Sequence, residues 1–171
     1  LGSGNKKNSP NPLTNKRKEV QKIMTIYLDC DGTWIDLYGV ENWLSYLQAE
    51  NPYPYIVAKP LVNLTWLART IHELQSQNIK IGIISWLSKN GTDAYNEAVT
   101  KAKVDWFKKH LPSVQFDEIH IVKYGTSKSS CASSSNDILF DDELKNREEW
   151  SGMAYDEKDL IKTLRSFLCP T

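Results

Sequence analysis

The sequence predicts an α/β fold, a three-layer αβα sandwich in which helices cover both faces of a central parallel sheet. Short apolar runs recur along the chain, and segments with the apolar spacing of helices separate them, which is the pattern of βαβ units. Three of the apolar runs end directly in polar residues. The 171 residues suffice for one such domain, since domains commonly hold about 100–200 residues.

The predicted strands are short runs bounded by polar or turn-forming residues. Four runs and a shorter fifth have this character: residues 23–28, 80–84, 116–122, 137–140 and 152–155. Apolar spacing predicts helices over residues 61–77, 92–110 and 160–168, with residues 41–49 as a further candidate. Pro60 is expected in the first turn of the 61–77 helix, because its missing N–H is not needed there.

Composition and charge disfavour several classes of protein. Lys plus Arg and Asp plus Glu both number 21, and this zero net charge disfavours a protein that mainly binds nucleic acid or an anionic membrane. No apolar run approaches the roughly 18 residues of a membrane span, so no transmembrane segment is expected. The three cysteines form no CxxC pair, which argues against a zinc site or disulfide framework and favours a cytoplasmic protein.

The start of the chain differs from the rest. Residues 1–20 are rich in Asn, Lys, Pro and Ser and nearly free of apolar side chains, so a disordered tail is expected there. Its first four residues, Leu-Gly-Ser-Gly, are typical of a cloning remnant. Residues 21–171 are expected to form the folded domain.

Polar residues at the ends of three predicted strands form the candidate site. Asp29 and Asp31 follow the first strand, Ser85 ends the second, and Asp141 and Asp142 follow the fourth. Ligands of open parallel sheets bind beyond the carboxyl ends of the strands, so these side chains are expected to meet at one edge. Clustered carboxylates repel one another unless a cation intervenes, and Mg²⁺ suits both oxygen ligands and a substrate phosphate.

These motifs resemble those of the haloacid dehalogenase superfamily. Leu28-Asp-Cys-Asp-Gly-Thr33 is similar to its first motif, a strand followed by DxDGT, and Ile84-Ser85 is similar to its second. Leu139-Phe-Asp-Asp142 resembles the paired acids of the fourth motif, and Lys128 is identified with the single lysine of the third. The segment from 140 to 146 looks most like the small 5'(3')-nucleotidase-like members. The resemblance implies the Rossmann-like fold of this superfamily.

The resemblance implies a catalytic role for the first two acids. Asp29 would be the nucleophile that attacks phosphorus, and Asp31 would protonate the leaving oxygen and then activate the hydrolytic water. If the strand extends through both, their side chains point to the same side and Cys30 faces the core. Gly32 would then let the chain turn sharply.

The resemblance also implies the ligands of the metal ion. Asp141 and Asp142 would bind Mg²⁺ directly or through water, and Asp141 is favoured as the direct ligand. The Asp29 carboxylate and the Asp31 backbone carbonyl would complete the protein ligands.

The expected phosphate ligands come from three further places in the chain. Ser85 would donate a hydrogen bond to the phosphoryl oxygens, and backbone amides of Gly32 and Thr33 would bind the same group. Lys128 would neutralise the nucleophile and the phosphate. Lys123, at the end of the third strand, competes with Lys128 for this role.

Residues 34–59 lie where this superfamily often inserts a cap that controls access to the site, and they suffice only for a small one. Aromatic residues in this insert either pack it onto the domain, which is favoured, or stack on a nucleobase. The aromatic residues to which these two roles apply are Trp34, Tyr38, Trp43 and Tyr46.

The predicted function is that of a Mg²⁺-dependent phosphomonoester hydrolase with an aspartyl-phosphate intermediate. Its expected partner is a small phosphorylated substrate, with nucleotides as the leading class. Three alternatives stay open: a polynucleotide end-processing phosphatase, a phosphotransferase with an acceptor other than water, and a non-catalytic binding domain. The presence of both Asp29 and Asp31 argues against the last, because a binding module needs neither.

Overall fold

The computed structural model describes residues 24–169. Its strands are β1 (Thr25–Leu28), β2 (Ile35–Asp36), β3 (Lys59–Pro60), β4 (Lys80–Trp86), β5 (Glu118–Val122), β6 (Ile138–Phe140) and β7 (Met153–Tyr155). Its helices are α1 (Trp43–Gln48), α2 (Tyr53–Val57), α3 (Leu64–Ser76), α4 (Asp93–His110), α5 (Leu144–Glu149) and α6 (Leu160–Arg165). The predicted disordered tail, residues 1–20, lies outside the described residues.

Five strands form one sheet in the order β5-β4-β1-β6-β7, and all neighbouring strands in it run parallel. The predicted α/β fold with a central parallel sheet is therefore confirmed. Because β1 lies between β4 and β6, the carboxyl ends of these three strands are neighbours at one edge of the sheet. The residues that follow the three strands are the polar residues of the candidate site.

The larger part of the core lies on one face of the sheet. Side chains from β1, β4 and β6 pack there against α3, α4 and α6; they include Ile26, Leu28, Ile83, Phe140, Leu67, Ile71, Trp106 and Leu164. Cys30 belongs to this cluster and is fully buried, which confirms that it faces the core. On the opposite face a smaller cluster joins Tyr27, Ile84, Leu139 and Trp150.

Residues 34–60 form an insertion outside the main sheet, and the two ends of this insertion lie next to each other. β2 and β3 pair in antiparallel fashion, with Ile35 opposite Pro60, and α1 and α2 lie between them in the chain. Trp34 is fully buried at the start of this insertion. The centroid of its ring lies 5.5 Å from that of Trp106 and 5.7 Å from that of Phe107. Packing, the role favoured for the aromatic residues of this segment, is therefore the one that Trp34 has.

The expectation that Pro60 begins a helix is wrong, because Pro60 belongs to β3. α3 begins later, at Leu64, and the Asn63 side chain caps it by accepting a hydrogen bond from the Trp66 amide at 3.1 Å. Asn63 supplies the acceptor that an N-terminal turn needs, which proline lacks. A two-residue strand of this kind tolerates proline because few ladder hydrogen bonds are lost.

Among residues 24–169, no helix combines the length and the apolar character needed to cross a membrane. Cys30, Cys131 and Cys169 are free thiols in the structure.

Candidate active site

The carboxylates predicted to meet do so at the edge formed by β1 and β6. Asp29, Asp141 and Asp142 each place one oxygen within 4.8 Å of the other two. The amide of Asp29 donates to the Phe140 carbonyl at 2.8 Å, which fixes the end of β1 beside the end of β6. The sheet order therefore brings the three acids together.

Lys128 lies among these acids. Its Nζ donates to Oδ1 of Asp29 at 2.6 Å and to Oδ2 of Asp141 at 2.5 Å, and the side chain is almost fully buried. Burial alone would lower the pKa of Lys128, but the Asp29 and Asp141 carboxylates outweigh it and raise the pKa. The competing Lys123 lines a separate groove beside α4.

Hydrogen bonds from the start of α5 hold the acidic loop after β6. The Asn146 amide donates to both oxygens of Asp141, at 3.1 and 3.2 Å, and the Glu143 backbone amide donates to Oδ1 at 2.9 Å. Arg147 donates through Nη1 to the carbonyls of Asp141 and Asp142, at 2.7 and 2.8 Å. Arg147 was not among the predicted site residues, because a lone arginine in the sequence gives no signal for this contact.

The acidic cluster carries more negative charge than Lys128 balances. Burial raises the pKa of Asp142 to about 7, and the neighbouring Asp29 and Asp141 carboxylates add to this rise. Burial also raises the pKa of Asp141, with a further rise from Asp29 that Lys128 opposes. Three carboxylates facing one ammonium are a hard-oxygen donor set, which fits a divalent cation such as Mg²⁺.

The two carboxylates after β6 differ in how free their oxygens are. Asp141 is fully buried, and both of its oxygens accept hydrogen bonds from neighbouring groups. Asp142 is partly exposed, and the one side-chain hydrogen bond that its carboxylate accepts within residues 24–169 is a long one, 3.5 Å from the Thr33 hydroxyl to Oδ1. Asp142 is therefore the more available of the two to a cation, and the expectation that Asp141 is the direct ligand stays a prediction.

The turn after β1 differs from the extended strand that was expected. β1 ends at Leu28, and the amides of Thr33, Trp34 and Ile35 all donate to the Cys30 carbonyl, at 3.2, 3.2 and 3.0 Å. Both Asp29 and Asp31 nevertheless line the same cleft. Gly32 has a φ of +86°, and a Cβ there would clash with Oδ2 of Asp142, so the turn requires glycine.

The expected phosphate contacts of Gly32 and Thr33 are not supported by the geometry. The Gly32 amide donates to Ile35 and the Thr33 amide to Cys30, so both are already used in the turn. The Thr33 hydroxyl donates to Oδ2 of Asp29 at 3.1 Å and accepts from the Asp142 amide at 3.2 Å. Thr33 therefore connects the two acidic segments, whereas the amides of Cys30 and Asp31 donate none of the backbone–backbone hydrogen bonds within residues 24–169.

A second buried lysine, which the sequence analysis missed, lies behind Asp31. Lys103 of α4 is 2% exposed, pairs with the Asp31 carboxylate and donates to Oγ of Ser85 at 2.7 Å. Ser85 is fully buried against this ammonium and does not line the cleft, which differs from its expected contact with phosphate. Burial raises the pKa of Asp31, Lys103 opposes this rise, and Asp29 adds to it.

The sequence contained a signal for Lys103. Positions 95, 99, 103 and 107 share one face of α4, and the other three are the buried Tyr95, Val99 and Phe107. A lysine inside such an apolar stripe has to find charge partners, because an unpaired buried ammonium is costly.

The acids and Lys128 line one side of a cleft of about 520 Å³. Aromatic residues line the rest of it, among them Tyr38, Trp43, Tyr55, Trp86 and Tyr124. Two pairs among them have ring centroids 5.0 Å apart: Tyr38 packs edge-on with Trp43, and Trp86 packs with Tyr124 at a tilt of 55°. The cleft thus combines an anionic, cation-accepting end with walls suited to a flat apolar group.

Comparison with known proteins gives a match in structure and none in sequence. No family model matches the chain, and no curated protein matches it by sequence. The chain is similar in structure to a D,D-heptose 1,7-bisphosphate phosphatase from Burkholderia thailandensis, with a TM-score of 0.55 and 12% sequence identity. The match covers 86% of this chain and 99% of the phosphatase, and it confirms the α/β fold that the sequence predicted.

Proposed function

We propose that this protein is a Mg²⁺-dependent phosphomonoester hydrolase that forms a phosphorylated intermediate on Asp29. One observation carries the proposal: the Asp29 carboxylate contacts the buried Lys128 ammonium, within reach of Asp141 and Asp142, where an aromatic cleft opens. A nucleophilic carboxylate needs neighbours that attract a phosphate dianion to it. The similarity to a phosphatase of the same fold supports this reading.

The proposed reaction has two steps. An Asp29 oxygen attacks phosphorus and the bond to the leaving oxygen breaks, while Asp31 gives its proton to that oxygen. Water then attacks phosphorus, gives a proton to Asp31, and the bond between phosphorus and Asp29 breaks to release phosphate. Lys128 lies where it neutralises charge on Asp29 and the phosphoryl group. The Asp31 amide, on a residue that lines the cleft, would donate to a phosphoryl oxygen.

Asp29 and Asp142 would hold the metal ion, with Asp141 and the Asp31 backbone carbonyl as the further expected ligands. When bound, Mg²⁺ supplies positive charge that draws the phosphate to Asp29 and offsets the repulsion among the acids. Burial raises the pKa of Asp142 to about 7, and the Asp29 and Asp141 carboxylates add to this rise; a bound cation would offset the repulsion from these two carboxylates.

The proposed substrate is a small phosphorylated metabolite, with a nucleotide as the leading class. Tyr38, Trp43 and Tyr124 line the cleft and offer faces or edges to a planar base, and such stacking contributes about 1–3 kcal/mol per base. The segment 34–60 would act as a small cap, since Tyr38, Trp43 and Tyr55 all belong to it. The resemblance to nucleotidase-like proteins supports the same class, and the heptose bisphosphate phosphatase suggests sugar phosphates as the next one.

The decisive experiment is phosphate release from nucleoside monophosphates, sugar phosphates and p-nitrophenyl phosphate, with Mg²⁺ and with EDTA. Asp29→Asn should stay folded and release no phosphate. Asp105→Asn is the matched control, since Asp105 is an exposed aspartate on α4 that pairs with the exposed Lys101. Release that survives in Asp29→Asn would contradict the proposed nucleophile. No release from any substrate by folded protein would favour a polynucleotide substrate or a binding domain.

A further inference from the structure

Lys103 has no role in the proposed reaction, yet it is buried in contact with Asp31, one of the proposed catalytic residues. Its ammonium has three N–H groups, and the structure gives each one an oxygen: the Asp31 carboxylate, Oγ of Ser85 at 2.7 Å and the Trp86 carbonyl at 2.9 Å. Two of these acceptors belong to β4, a central strand of the sheet. The ammonium is therefore hydrogen-bonded to the central sheet.

Asp31 depends on this contact for its orientation. It lies in the turn beyond β1, next to Gly32 with its φ of +86°, and a single β-bridge to Ile35 holds its backbone without fixing its side-chain oxygens. Among residues 24–169, Lys103 is the only group that donates a hydrogen bond to the Asp31 carboxylate, and it contacts Oδ2. Oδ1 accepts no hydrogen bond from these residues, and Asp31 lines the cleft.

Packing around Lys103 leaves it little freedom to move. Tyr95, Val99 and Phe107 flank it on the buried face of α4, and the ammonium lies 4.9 Å from the centroid of the Tyr55 ring. Tyr55 belongs to α2, in the segment between β2 and β3. These contacts restrict the position of the Lys103 ammonium, and its hydrogen bond in turn restricts the position of the Asp31 carboxylate.

We propose that Lys103 is a positioning residue for Asp31 in the second step of the proposed reaction. It holds Oδ2 so that Oδ1 faces the water that attacks the phosphorylated Asp29. In this step the new bond joins the water oxygen to phosphorus, the bond between phosphorus and Asp29 breaks, and the water proton passes to Asp31. The inference rests on the proposed function and adds to it the residue that aims the base.

The test compares Lys103→Met with Lys101→Met, an exposed lysine on the same helix. The substrate is p-nitrophenyl phosphate, because p-nitrophenol leaves with little help from an acid. We expect Lys103→Met to release its first equivalent of p-nitrophenol at the wild-type rate. Its steady-state kcat should fall about 10–100-fold, part of the roughly 10²–10⁴-fold that a general base provides. Phosphoenzyme trapped by rapid acid quench should increase correspondingly, whereas Lys101→Met should match the wild type.

Loss of folded protein does not produce this pattern, because it lowers the size of the p-nitrophenol burst, the steady-state rate and the amount of trapped phosphoenzyme in the same proportion. Equal falls in both steps, a rise in KM alone, or behaviour like that of Lys101→Met would overturn the inference. If Lys103→Met does not fold, Asp31→Asn is compared with Asp31→Asn/Lys103→Met, which removes both charges of the pair. The two should trap phosphoenzyme equally fast, and a further tenfold loss in the double variant would overturn the inference.

Failure of the proposed function gives a different result. A wild-type protein that releases no p-nitrophenol and traps no phosphoenzyme overturns the hydrolase and the role of Lys103 together. A wild-type protein that turns over, with Lys103→Met unchanged, overturns the role of Lys103 alone.

Discussion

The Nζ of Lys128 lies 2.6 Å from Oδ1 of Asp29, although 99 residues separate the two along the chain. The same ammonium lies 2.5 Å from Asp141, so one cation joins the residues that follow β1 and β6. Lys128 also lies 5.2 Å from the centroid of the Trp86 ring, which follows from the position of β4 on the other side of β1. The ends of β1, β4 and β6 therefore meet at a single ammonium, which the short 3₁₀ helix Lys128–Cys131 supplies.

Lys128→Met should lower both stability and turnover. It leaves the buried Asp29 and Asp141 carboxylates without their cation, and removal of one partner from a buried ion pair typically costs about 3–5 kcal/mol. Urea unfolding measures the free energy, and Lys123→Met is the matched control, expected within about 0.5 kcal/mol of the wild type. If Lys123→Met proves the more damaging of the two, the assignment of Lys128 is wrong.

Mg²⁺ should stabilise the wild-type protein against heat. A ligand that binds only the folded state adds about 2.7 kcal/mol at 100 times its Kd. Asp142→Asn should remove most of this gain and raise the stability of the metal-free protein, because it relieves repulsion within the acidic cluster. Thermal unfolding with Mg²⁺ and with EDTA measures both effects, with Asp105→Asn as the control. An undiminished Mg²⁺ effect in Asp142→Asn would exclude Asp142 as a ligand.

Gly32→Ala should lower stability and activity much more than Gly125→Ala does, although both glycines have a positive φ, +86° and +82°. Alanine in this region costs roughly 1–2 kcal/mol at either position. At Gly125 a Cβ meets nothing within 4 Å, so activity should stay near that of the wild type. At position 32 it clashes with Asp142, so a larger loss of stability and of Mg²⁺-dependent phosphate release is expected. Equal effects in unfolding and activity assays would argue against this role of the turn.

Trp43→Leu should impair nucleotide substrates selectively. Trp43 lines the cleft, and loss of one stacking partner at about 1–3 kcal/mol corresponds to a roughly 5–150-fold fall in kcat/KM. The kcat/KM for a small sugar phosphate should change much less. Trp66→Leu is the matched control, since Trp66 is half exposed on α3 and does not line the cleft. Equal losses for both substrate classes would mean that Trp43 shapes the cleft without contacting a base.

Stability should fall between pH 10 and pH 12 because of Tyr27. Burial raises the pKa of this tyrosine from 10 to about 12, with a further rise from Glu118, whose carboxylate accepts a hydrogen bond from the tyrosine hydroxyl at 2.8 Å. The unfolded chain loses the proton near pH 10 while the folded chain keeps it to about pH 12, so the stabilisation is complete below pH 10 and disappears across this interval. Urea unfolding should show the advantage of the wild type over Tyr27→Phe narrowing there, and a constant difference would contradict the assignment.

Much of this protein followed from local sequence pattern. Apolar runs with a defined end predicted the five strands of the sheet, and the spacing of apolar residues predicted α4 to within a residue at its start. The acids that follow β1 and β6 could be recognised because a strand that stops in two carboxylates is unusual. Pro60 and the start of α3 were predicted wrongly, because the cap of a helix depends on a single side chain, Asn63.

The sequence by itself determined which residues are buried in strands and which polar residues stand at their ends, since both follow from backbone periodicity. Only the tertiary structure decided which of these groups touch. The order β4-β1-β6 put Asp29 beside Asp141, and the packing of α4 brought Lys103 to Asp31, 72 residues away along the chain. Hydrogen bonds and ion pairs act over about 3 Å, so distant partners become neighbours only once the whole sheet has formed.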